Sequence, residues 1–191
     1  MFELLHQTIM PHVSLSQGER KILEEAFVFR QVPKKFKLAE EGKVAKELYF
    51  INKGLLRLFY SKEGDEITAF IFQEGLFAAS YDSFLSENPS IQSLETLEDC
   101  ELLVVAKEEM EELYRRLPAM NTITRKIAEQ RFINAQRLLS SFILETPEER
   151  YRKFETDHKD LLQRVPQHYI ASFLGITPVS LSRIRKRLQK K

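Results

Sequence analysis

The chain has 191 residues, of which 43% are hydrophobic, and this is enough for one large domain or two modest ones. No apolar run approaches the ~20 residues of a membrane span, and the first residues lack the basic-then-apolar order of a signal peptide. We therefore expect a cytoplasmic protein with no membrane contact. A single cysteine, Cys100, excludes an internal disulfide or a four-thiolate metal site, and its apolar neighbours predict a buried, inert thiol.

The formal net charge is only +1, but the charges are unevenly distributed along the chain. From residue 161 onward there is no acidic residue, whereas seven residues are basic: Arg164, Arg183, Arg185, Lys186, Arg187, Lys190 and Lys191. The rest of the chain is therefore net acidic. A basic segment on a neutral or acidic body is typical of a module that binds a polyanion, although a solvated basic tail has the same composition.

The first part of the chain predicts one helix and then a β-rich region. Residues 13–26 have apolar positions at helical spacing, with Ser14 or Ser16 as the N-cap. Residues 27–106 contain short β-branched and aromatic segments separated by turn signals: FVFRQV, LYFI, LLRLFY, ITAFIF and CELLVVA. The segment KEGDE at 62–66 predicts a hairpin turn. This spacing indicates an antiparallel sandwich or barrel, and among these we favour a jelly roll.

A long helix is predicted after the β-rich region. Residues 107–117 predict a short helix ended by Pro118, and apolar residues then recur at gaps of mostly three and four over 119–144. Such an apolar stripe can pack entirely on the core of its own domain. Alternatively, it is broad enough to pack also against the same helix of a second protomer. We predict the second arrangement, a homodimer, with these residues on the dimer helix: Ile123, Ile127, Phe132 and Ala135.

A hinge and a further helix follow the long helix. Thr146 as N-cap and Pro147 at the first helical position predict a polar helix over 146–158. We therefore divide the chain into three segments: 1–118 as a β-roll domain, 119–145 as the dimerisation helix, and 146–191 as a C-terminal helical domain.

Residues 159–190 contain the most specific pattern of the chain. Pro166 can begin a helix, and Gly175 stands where a left-handed residue ends it. Thr177 as N-cap and Pro178 at the first position then begin a second helix, whose inward-facing residues are Leu181, Ile184 and Leu188. The pattern predicts a helix-turn-helix, with a generic helical hairpin as the alternative.

The outer face of this second helix is polar and basic, which suits the major groove of DNA. We predict that Arg183 binds O6 and N7 of a guanine. Ser180 and Arg187 would hold phosphates, as would the start of the first helix near Gln167 and His168. The predicted DNA-binding residues are Gln167, His168, Thr177, Pro178, Val179, Ser180, Ser182, Arg183 and Arg187.

With these segments in this order, the chain resembles the CRP/FNR family of bacterial regulators over essentially its full length. The segment ELYFINKGLLRLFYSKEGDEITAFIFQEGLF resembles the strand-glycine-strand pattern of the family, and IASFLGITPVSLSRIRKRL resembles its helix-turn-helix. The resemblance implies an α+β fold with an N-terminal antiparallel β jelly roll of the cyclic nucleotide-binding type, a long dimerisation helix and a C-terminal helix-turn-helix domain. It also implies a homodimer that binds a two-fold symmetric double-stranded DNA operator, regulates transcription initiation and contacts RNA polymerase.

The chain departs from the cyclic nucleotide-binding relatives where these hold their ligand. After the glycine matched to Gly75, those relatives carry a Gly-Glu-Leu turn and an Arg-Ser or Arg-Ala pair. The corresponding effector pocket candidates here are Ala79, Ser80, Tyr81, Ser90 and Ile91. Because neither a carboxylate nor a guanidinium stands at these positions, we expect that cyclic AMP does not bind. No cofactor is predicted, and the identity of any other effector stays open.

The chain also departs from the family in the residues that bind effectors and in the elements that bind DNA. The cysteine set of its oxygen-sensing branch and the axial ligands of its haem branch are not visible, and we expect no small β-wing after the second helix. The common Arg-Glu pair at the start of the recognition helix is Pro178 and Val179 here, whereas Arg183 is kept.

Two other functions compete with DNA reading. A jelly roll can be a metal-dependent cupin enzyme, but all four histidines lie outside 27–106, namely His6, His12, His158 and His168. We therefore predict neither a metal site nor an enzyme. The alternative is an effector-binding or protein-interaction module that has lost specific DNA binding, which the missing wing and the unusual start of the second helix favour.

Overall fold

The structure is a computed structural model that describes residues 1–189, so Lys190 and Lys191 of the basic segment lie outside the described residues. Over 1–189 the chain forms eight strands and nine helices. These elements form two compact units, the first made of residues 1–60 and 71–129 and the second of residues 61–70 and 130 onward. The division differs from the three predicted segments, because the long helix is shared between the units.

The strands form two four-stranded sheets. They are β1 (Val28–Val32), β2 (Lys37–Ala39), β3 (Glu47–Lys53), β4 (Leu56–Lys62), β5 (Asp65–Phe72), β6 (Phe77–Ala78), β7 (Ser93–Thr96) and β8 (Cys100–Ala106). One sheet has the order β1-β8-β3-β6 and the other the order β2-β7-β4-β5. The neighbouring strands are antiparallel in the pairs β1–β8, β2–β7, β3–β6, β3–β8 and β4–β7. The predicted antiparallel jelly roll is therefore confirmed.

The five predicted strands correspond to β1, β3, β4, β5 and β8. The three strands that were not predicted, β2, β6 and β7, have only two to four residues each, which is too short for an alternating pattern. The predicted hairpin turn lies between β4 and β5. Its two central residues, Glu63 and Gly64, have φ angles of +55° and +90°, as a tight turn matched to the twist of the strands requires.

Four helices accompany the sheets. They are α1 (Glu3–Ile9), α2 (Gln17–Glu25), α3 (Tyr81–Ser86) and α4 (Lys107–Arg116), of which α1 and α3 were not predicted. The N-cap of α2 is Ser16, because its hydroxyl accepts from the Glu19 N–H while the Glu19 carboxylate accepts from the Ser16 N–H. The core of the first unit includes Leu5, Ile9, Leu23, Phe50, Leu103, Val105, Met110 and Leu113.

The remaining helices are α5 (Ala119–Leu144), α6 (Pro147–Asp157), α7 (Leu161–Arg164), α8 (Gln167–Phe173) and α9 (Pro178–Leu188). The long predicted helix is confirmed as α5, which has 26 residues. Thr146 begins α6 as predicted, because its hydroxyl accepts from the Glu149 N–H and the Glu149 carboxylate accepts from the Thr146 N–H.

Candidate nucleic-acid interface

A tight turn joins α8 to α9. Gly175 has a φ of +68°, the left-handed conformation that a glycine adopts without strain. The Gly175 N–H donates to the Ser172 carbonyl at 3.0 Å, and the Ile176 N–H donates to the Ala171 carbonyl at 3.0 Å. These bonds satisfy the last free carbonyls of α8 in the manner of a Schellman motif. The predicted end of the first helix is therefore confirmed.

The start of α9 is defined just as locally. The Thr177 hydroxyl accepts from the Ser180 N–H at 3.1 Å, so Thr177 is the N-cap. Pro178 occupies the first helical position, where its missing N–H costs no hydrogen bond. The first turn of α9 has no acidic residue and its last turn has three basic ones, so the helix presents only positive charge to a ligand.

A small core holds α8 and α9 together. Its buried residues include Ile170, Ala171, Leu174, Leu181 and Ile184, together with Tyr151 and Phe154 of α6. The Tyr151 hydroxyl donates to the Glu155 carboxylate at 2.8 Å. Burial and this hydrogen bond raise the pKa of Tyr151 to about 12, so the phenol stays neutral under physiological conditions.

The exposed face of α9 is continuous. Val179, Ser182, Arg183 and Lys186 are all exposed, and gaps of three and four place them on one side of the helix. Thr177 and Pro178 are exposed beside them, whereas Ser180 is half-buried because it takes part in the N-cap. Gln167 and His168 are exposed at the start of α8. Eight of the nine predicted DNA-binding residues are thus exposed, and all nine lie on the two helices or the turn between them.

Arg187 differs from the other basic residues of α9 because it has a carboxylate partner. Its guanidinium lies 2.5 Å from the Glu148 carboxylate of α6, while most of its side chain is exposed. Glu148 also pairs with Arg152 at 3.0 Å. For Arg187 to hold a phosphate as predicted, it must exchange one anionic partner for another.

Sequence reasoning missed Arg150, which ties the helix-turn-helix to the end of α5. Its Nε donates to the Leu174 carbonyl at 3.1 Å, and its Nη1 donates to the Glu145 carbonyl at 2.7 Å. Its guanidinium lies 4.9 Å from the centre of the Phe142 ring. One side chain thus bonds to the last turn of α8 and to the break between α5 and α6. No signal in the polar segment 146–158 distinguished this arginine from its neighbours.

The β4–β5 hairpin segment also contacts α8 within the second unit. The Thr68 N–H donates to the Ser172 hydroxyl at 2.9 Å, and this hydroxyl donates to the Glu66 carbonyl at 3.3 Å. β5 is an edge strand, so these backbone groups have no further strand to pair with. Ser172 therefore partners the free edge of β5 at this point.

The residues predicted for the dimer helix have two different environments. Ile123 is fully buried in the core of the first unit, and Ile127 is partly buried against it. Phe132 is 64% exposed and Ala135 is half-buried. The burial of Ile123 leaves its side chain unavailable to a second copy, so a face open to a partner begins further along α5.

The predicted effector pocket residues are also divided. Ser80 and Ser90 are buried, and their hydroxyls lie 2.6 Å apart. Ala79 is buried in the apolar core, Tyr81 is half-buried and stacks on Phe84, and Ile91 is 63% exposed. The structure therefore brings two of the five candidates, Ser80 and Ser90, into contact.

A buried ion pair that was not predicted lies between two strands of the first unit. Arg57 of β4 and Glu95 of β7 stand opposite each other in the antiparallel register, and Arg57 Nε lies 2.6 Å from Glu95 Oε1. Arg57 is 1% exposed, and its guanidinium lies 4.1 Å from the centre of the Phe59 ring. The available signal was an arginine between two leucines in a strand, because a buried charge requires a partner.

Two kinds of feature are absent from the described part of the chain. Among residues 1–189, no group of three or more His, Cys, Asp or Glu side chains is arranged to hold a metal ion. In the same part of the chain, no helix is both long enough and apolar enough to span a lipid bilayer.

The comparisons with known proteins agree with this architecture. Residues 29–117 match the model of the cyclic nucleotide-binding domain family. No curated protein matches the chain in sequence. The chain is similar in structure to CLP of Xanthomonas campestris, a c-di-GMP responsive global regulator, with a TM-score of 0.74, 20% identity and 92% coverage of both chains.

Two further solved structures are similar. The catabolite activator protein of Thermus thermophilus has a TM-score of 0.58 and 24% identity, with coverage of 93% of this chain and 85% of that one. A protein from Eubacterium rectale described as a transcriptional regulator of the CRP/FNR family has a TM-score of 0.69 and 17% identity, with coverage of 92% and 84%.

A β jelly roll, a long helix and a helix-turn-helix thus follow one another in a chain whose residues 29–117 match the cyclic nucleotide-binding domain model. The fold is that of the CRP/FNR-type transcription regulators, as the resemblance of the sequence implied.

Proposed function

We propose that the protein is a sequence-specific DNA-binding regulator of transcription that acts as a homodimer on a two-fold symmetric operator. The observation that carries the proposal is the exposed face of α9, where Arg183 and Lys186 project from a helix without acidic residues. A second helix presented by a capped turn is the element that helix-turn-helix proteins place in the major groove. The fold shared with the CRP/FNR-type regulators supports the same function.

Arg183 is the residue to which we assign base recognition. It is exposed in the second turn of α9, and its guanidinium can donate two parallel hydrogen bonds to O6 and N7 of one guanine. Ser180 and Arg187 of α9 and Gln167 and His168 of α8 would hold phosphates and set the register. Thr177, Pro178, Val179 and Ser182 would complete the surface that faces the DNA.

The second half of α5 supports the homodimer. Phe132, Leu139 and Ile143 are 64%, 61% and 71% exposed, and together with Ala135 they recur at gaps of three and four. A helix with such a stripe buries it against a like stripe, as in a coiled coil. A second copy of α5 related by a two-fold axis would place two recognition helices on the half-sites of one operator.

We infer that cyclic AMP is not the effector. The hydroxyls of Ser80 and Ser90 are hydrogen-bonded to each other, and neither a carboxylate nor a guanidinium stands at the five matched positions. A cyclic phosphate would therefore lack a charged partner to offset its loss of hydration. Titration calorimetry with cyclic AMP checks this inference, and saturable heat of binding would refute it. Regulation at the promoter would act in the cytoplasm through a contact with RNA polymerase.

The test of the proposed function is the change Arg183→Ala. An operator is first selected from random oligonucleotides with the unchanged protein, and affinities are then measured for the operator and for each single base-pair variant. The change should reduce discrimination at one guanine in each half-site by roughly 5- to 150-fold, the range expected for one bidentate arginine contact. The measurement is fluorescence anisotropy at one fixed salt concentration.

Arg115→Ala is the matched control, because Arg115 is an exposed arginine of α4 that pairs with Glu112. It removes the same charge and should leave discrimination unchanged. Specific binding that survives Arg183→Ala intact would contradict the assignment of base recognition. Failure of the unchanged protein to enrich any sequence would contradict the proposed function itself and favour a module that has lost specific DNA binding.

A further inference from the structure

We propose that Val179 contacts the 5-methyl group of a thymine, so that each half-site carries a thymine within two base pairs of the guanine bound by Arg183. The proposal rests on the proposed function and adds the chemistry of a second base to it.

Val179 is an apolar side chain in an otherwise polar surface. It is 60% exposed, whereas Leu181 and Ile184 of the same helix are buried in the small core. The residues that share its face, Ser182, Arg183 and Lys186, are polar or basic. Val179 therefore contributes little to the packing of this chain, and its branched side chain is a less favourable helix former than alanine.

The position of Val179 in α9 gives it access to base edges. It is the second residue of the helix, after Pro178, and the N-terminal residues of a recognition helix are those that approach the bases. With no carboxylate in this first turn, nothing there repels the phosphates on either side of the groove.

The thymine methyl is the apolar group that base pairs present in the major groove, and apolar side chains contact it directly. Cytosine carries only a hydrogen at that ring carbon, so a valine beside it loses the contact with a methyl group. The chemistry of Val179 therefore favours thymine over cytosine.

The spacing of Val179 and Arg183 places their bases close together. Four residues of an α-helix extend about 6 Å along its axis, and base pairs are stacked about 3.4 Å apart. The two side chains lie on one face of α9, so they reach bases that are at most about two steps apart.

The experiment replaces single thymines of the selected operator by deoxyuridine, which removes only the methyl group. One thymine in each half-site, within two base pairs of the guanine that depends on Arg183, should be sensitive to this change. We expect the dissociation constant to rise about fourfold for each such thymine, as for the loss of one buried methyl contact.

Two exposed valines supply the variants, Val179 of α9 and, as the control outside the DNA-binding surface, Val28 of β1, which is 65% exposed. Val179→Ala should abolish the difference between thymine and deoxyuridine at that position, whereas Val28→Ala, the same change on a strand of the first unit, should retain it. Circular dichroism establishes that both variants keep the helices, and because both side chains are exposed we expect no loss of fold.

The outcomes separate the two proposals. A selected operator without a methyl-sensitive thymine near that guanine overturns the role of Val179 and leaves the proposed function standing. A sensitive thymine that remains sensitive with Val179→Ala also overturns it, because another residue then reads the methyl. If no sequence is selected at all, both proposals fail.

Discussion

Gly54 and Cys100 lie so close together that each restricts the other. A Cβ atom on Gly54 would lie 2.5 Å from Cys100 Sγ and 3.0 Å from the Asp99 carbonyl oxygen. Gly54 also has a φ of +99°, which side-chain-bearing residues rarely adopt. Burial raises the pKa of the Cys100 thiol to about 11, so this side chain stays protonated, as expected of a buried, inert thiol.

The change Gly54→Ala should therefore destabilise the first unit. The added methyl group combines a strained backbone conformation with a steric clash in the interior, and each contributes roughly 1–3 kcal/mol. We expect the free energy of unfolding, measured by urea denaturation, to fall by about 2–6 kcal/mol.

Gly42→Ala is the matched control. Gly42 has a similar φ of +82°, but a Cβ atom there would meet nothing within 4 Å. Gly42→Ala should therefore lower the free energy of unfolding only by the smaller amount that comes from the strained backbone conformation. If the free energy of unfolding fell equally in the two variants, the close contact between Gly54 and Cys100 would not contribute to the destabilisation.

At the scale of single elements, α5 changes its surroundings along its length. Its first turns bury Met120 and Ile123 in the core of the first unit. Its later turns expose Phe132, Leu139 and Ile143. The spacing of apolar residues in the sequence indicates one broad stripe along α5. The burial of these residues in the structure shows that the first turns pack on their own chain, whereas the later turns remain exposed.

The change Leu139→Glu should break the proposed dimer. Two carboxylates would meet near the two-fold axis, and the burial of two leucine side chains would be lost, so the dissociation constant of the dimer should rise roughly 100-fold or more. Sedimentation equilibrium over a range of protein concentrations measures it.

Gln130→Glu introduces the same charge at an exposed position on the opposite side of α5 and should leave the association unchanged. Because Leu139 is already exposed in the single chain, the fold of each protomer should persist in both variants. A Leu139→Glu protein that associates as strongly as the unchanged one would contradict a dimer through this face.

At the scale of the whole molecule, the segregation of charge is incomplete. The acidic residues precede position 161, yet Glu148 of α6 reaches Arg187 of α9 and neutralises part of the basic surface. An exposed pair of this kind contributes little to stability. The Glu148–Arg187 pair has a larger effect on the binding of a polyanion, because the carboxylate lowers the positive electrostatic potential at this part of α9.

The change Glu148→Gln should therefore strengthen binding to DNA of any sequence. Arg187 would be released to a phosphate, so affinity at low salt should rise several-fold. The slope of log K against log salt concentration should become steeper by about 0.9 for each added phosphate contact. Anisotropy titrations of a non-operator duplex at several salt concentrations measure both quantities.

Glu112→Gln is the control, because Glu112 forms a comparable surface pair with Arg115 in the first unit. It changes the net charge equally and should have at most a small effect on the slope. If both variants strengthen binding equally, overall charge and not the Glu148–Arg187 pair governs the affinity.

Local signals explain how far the sequence alone predicted this protein. Gly175, Thr177 and Pro178 act on backbone groups within a few residues, so the turn between α8 and α9 could be predicted without any tertiary contact. The same holds for α5, which follows Pro118 and keeps one apolar repeat over its length. The five longer strands had enough residues to show a pattern, and the basic face of α9 followed from composition.

The features that escaped prediction depend on residues that are far apart in the chain. β2, β6 and β7 are strands because longer neighbours supply their hydrogen bonds. Arg150 matters because it reaches the carbonyl of Glu145, between α5 and α6, and the carbonyl of Leu174, at the end of α8. Arg57 and Glu95 are 38 residues apart and meet only through the register of β4 and β7.

The sequence by itself determined the fold class, the order of the segments and the helix-turn-helix, because capping, turns and helical periodicity act over a few residues. Only the tertiary structure decided which apolar residues of α5 remain exposed, that Ser80 and Ser90 bond to each other, and that Arg57 pairs with Glu95. These facts concern which side chains are buried and which pair with each other, and both depend on how distant segments of the chain pack.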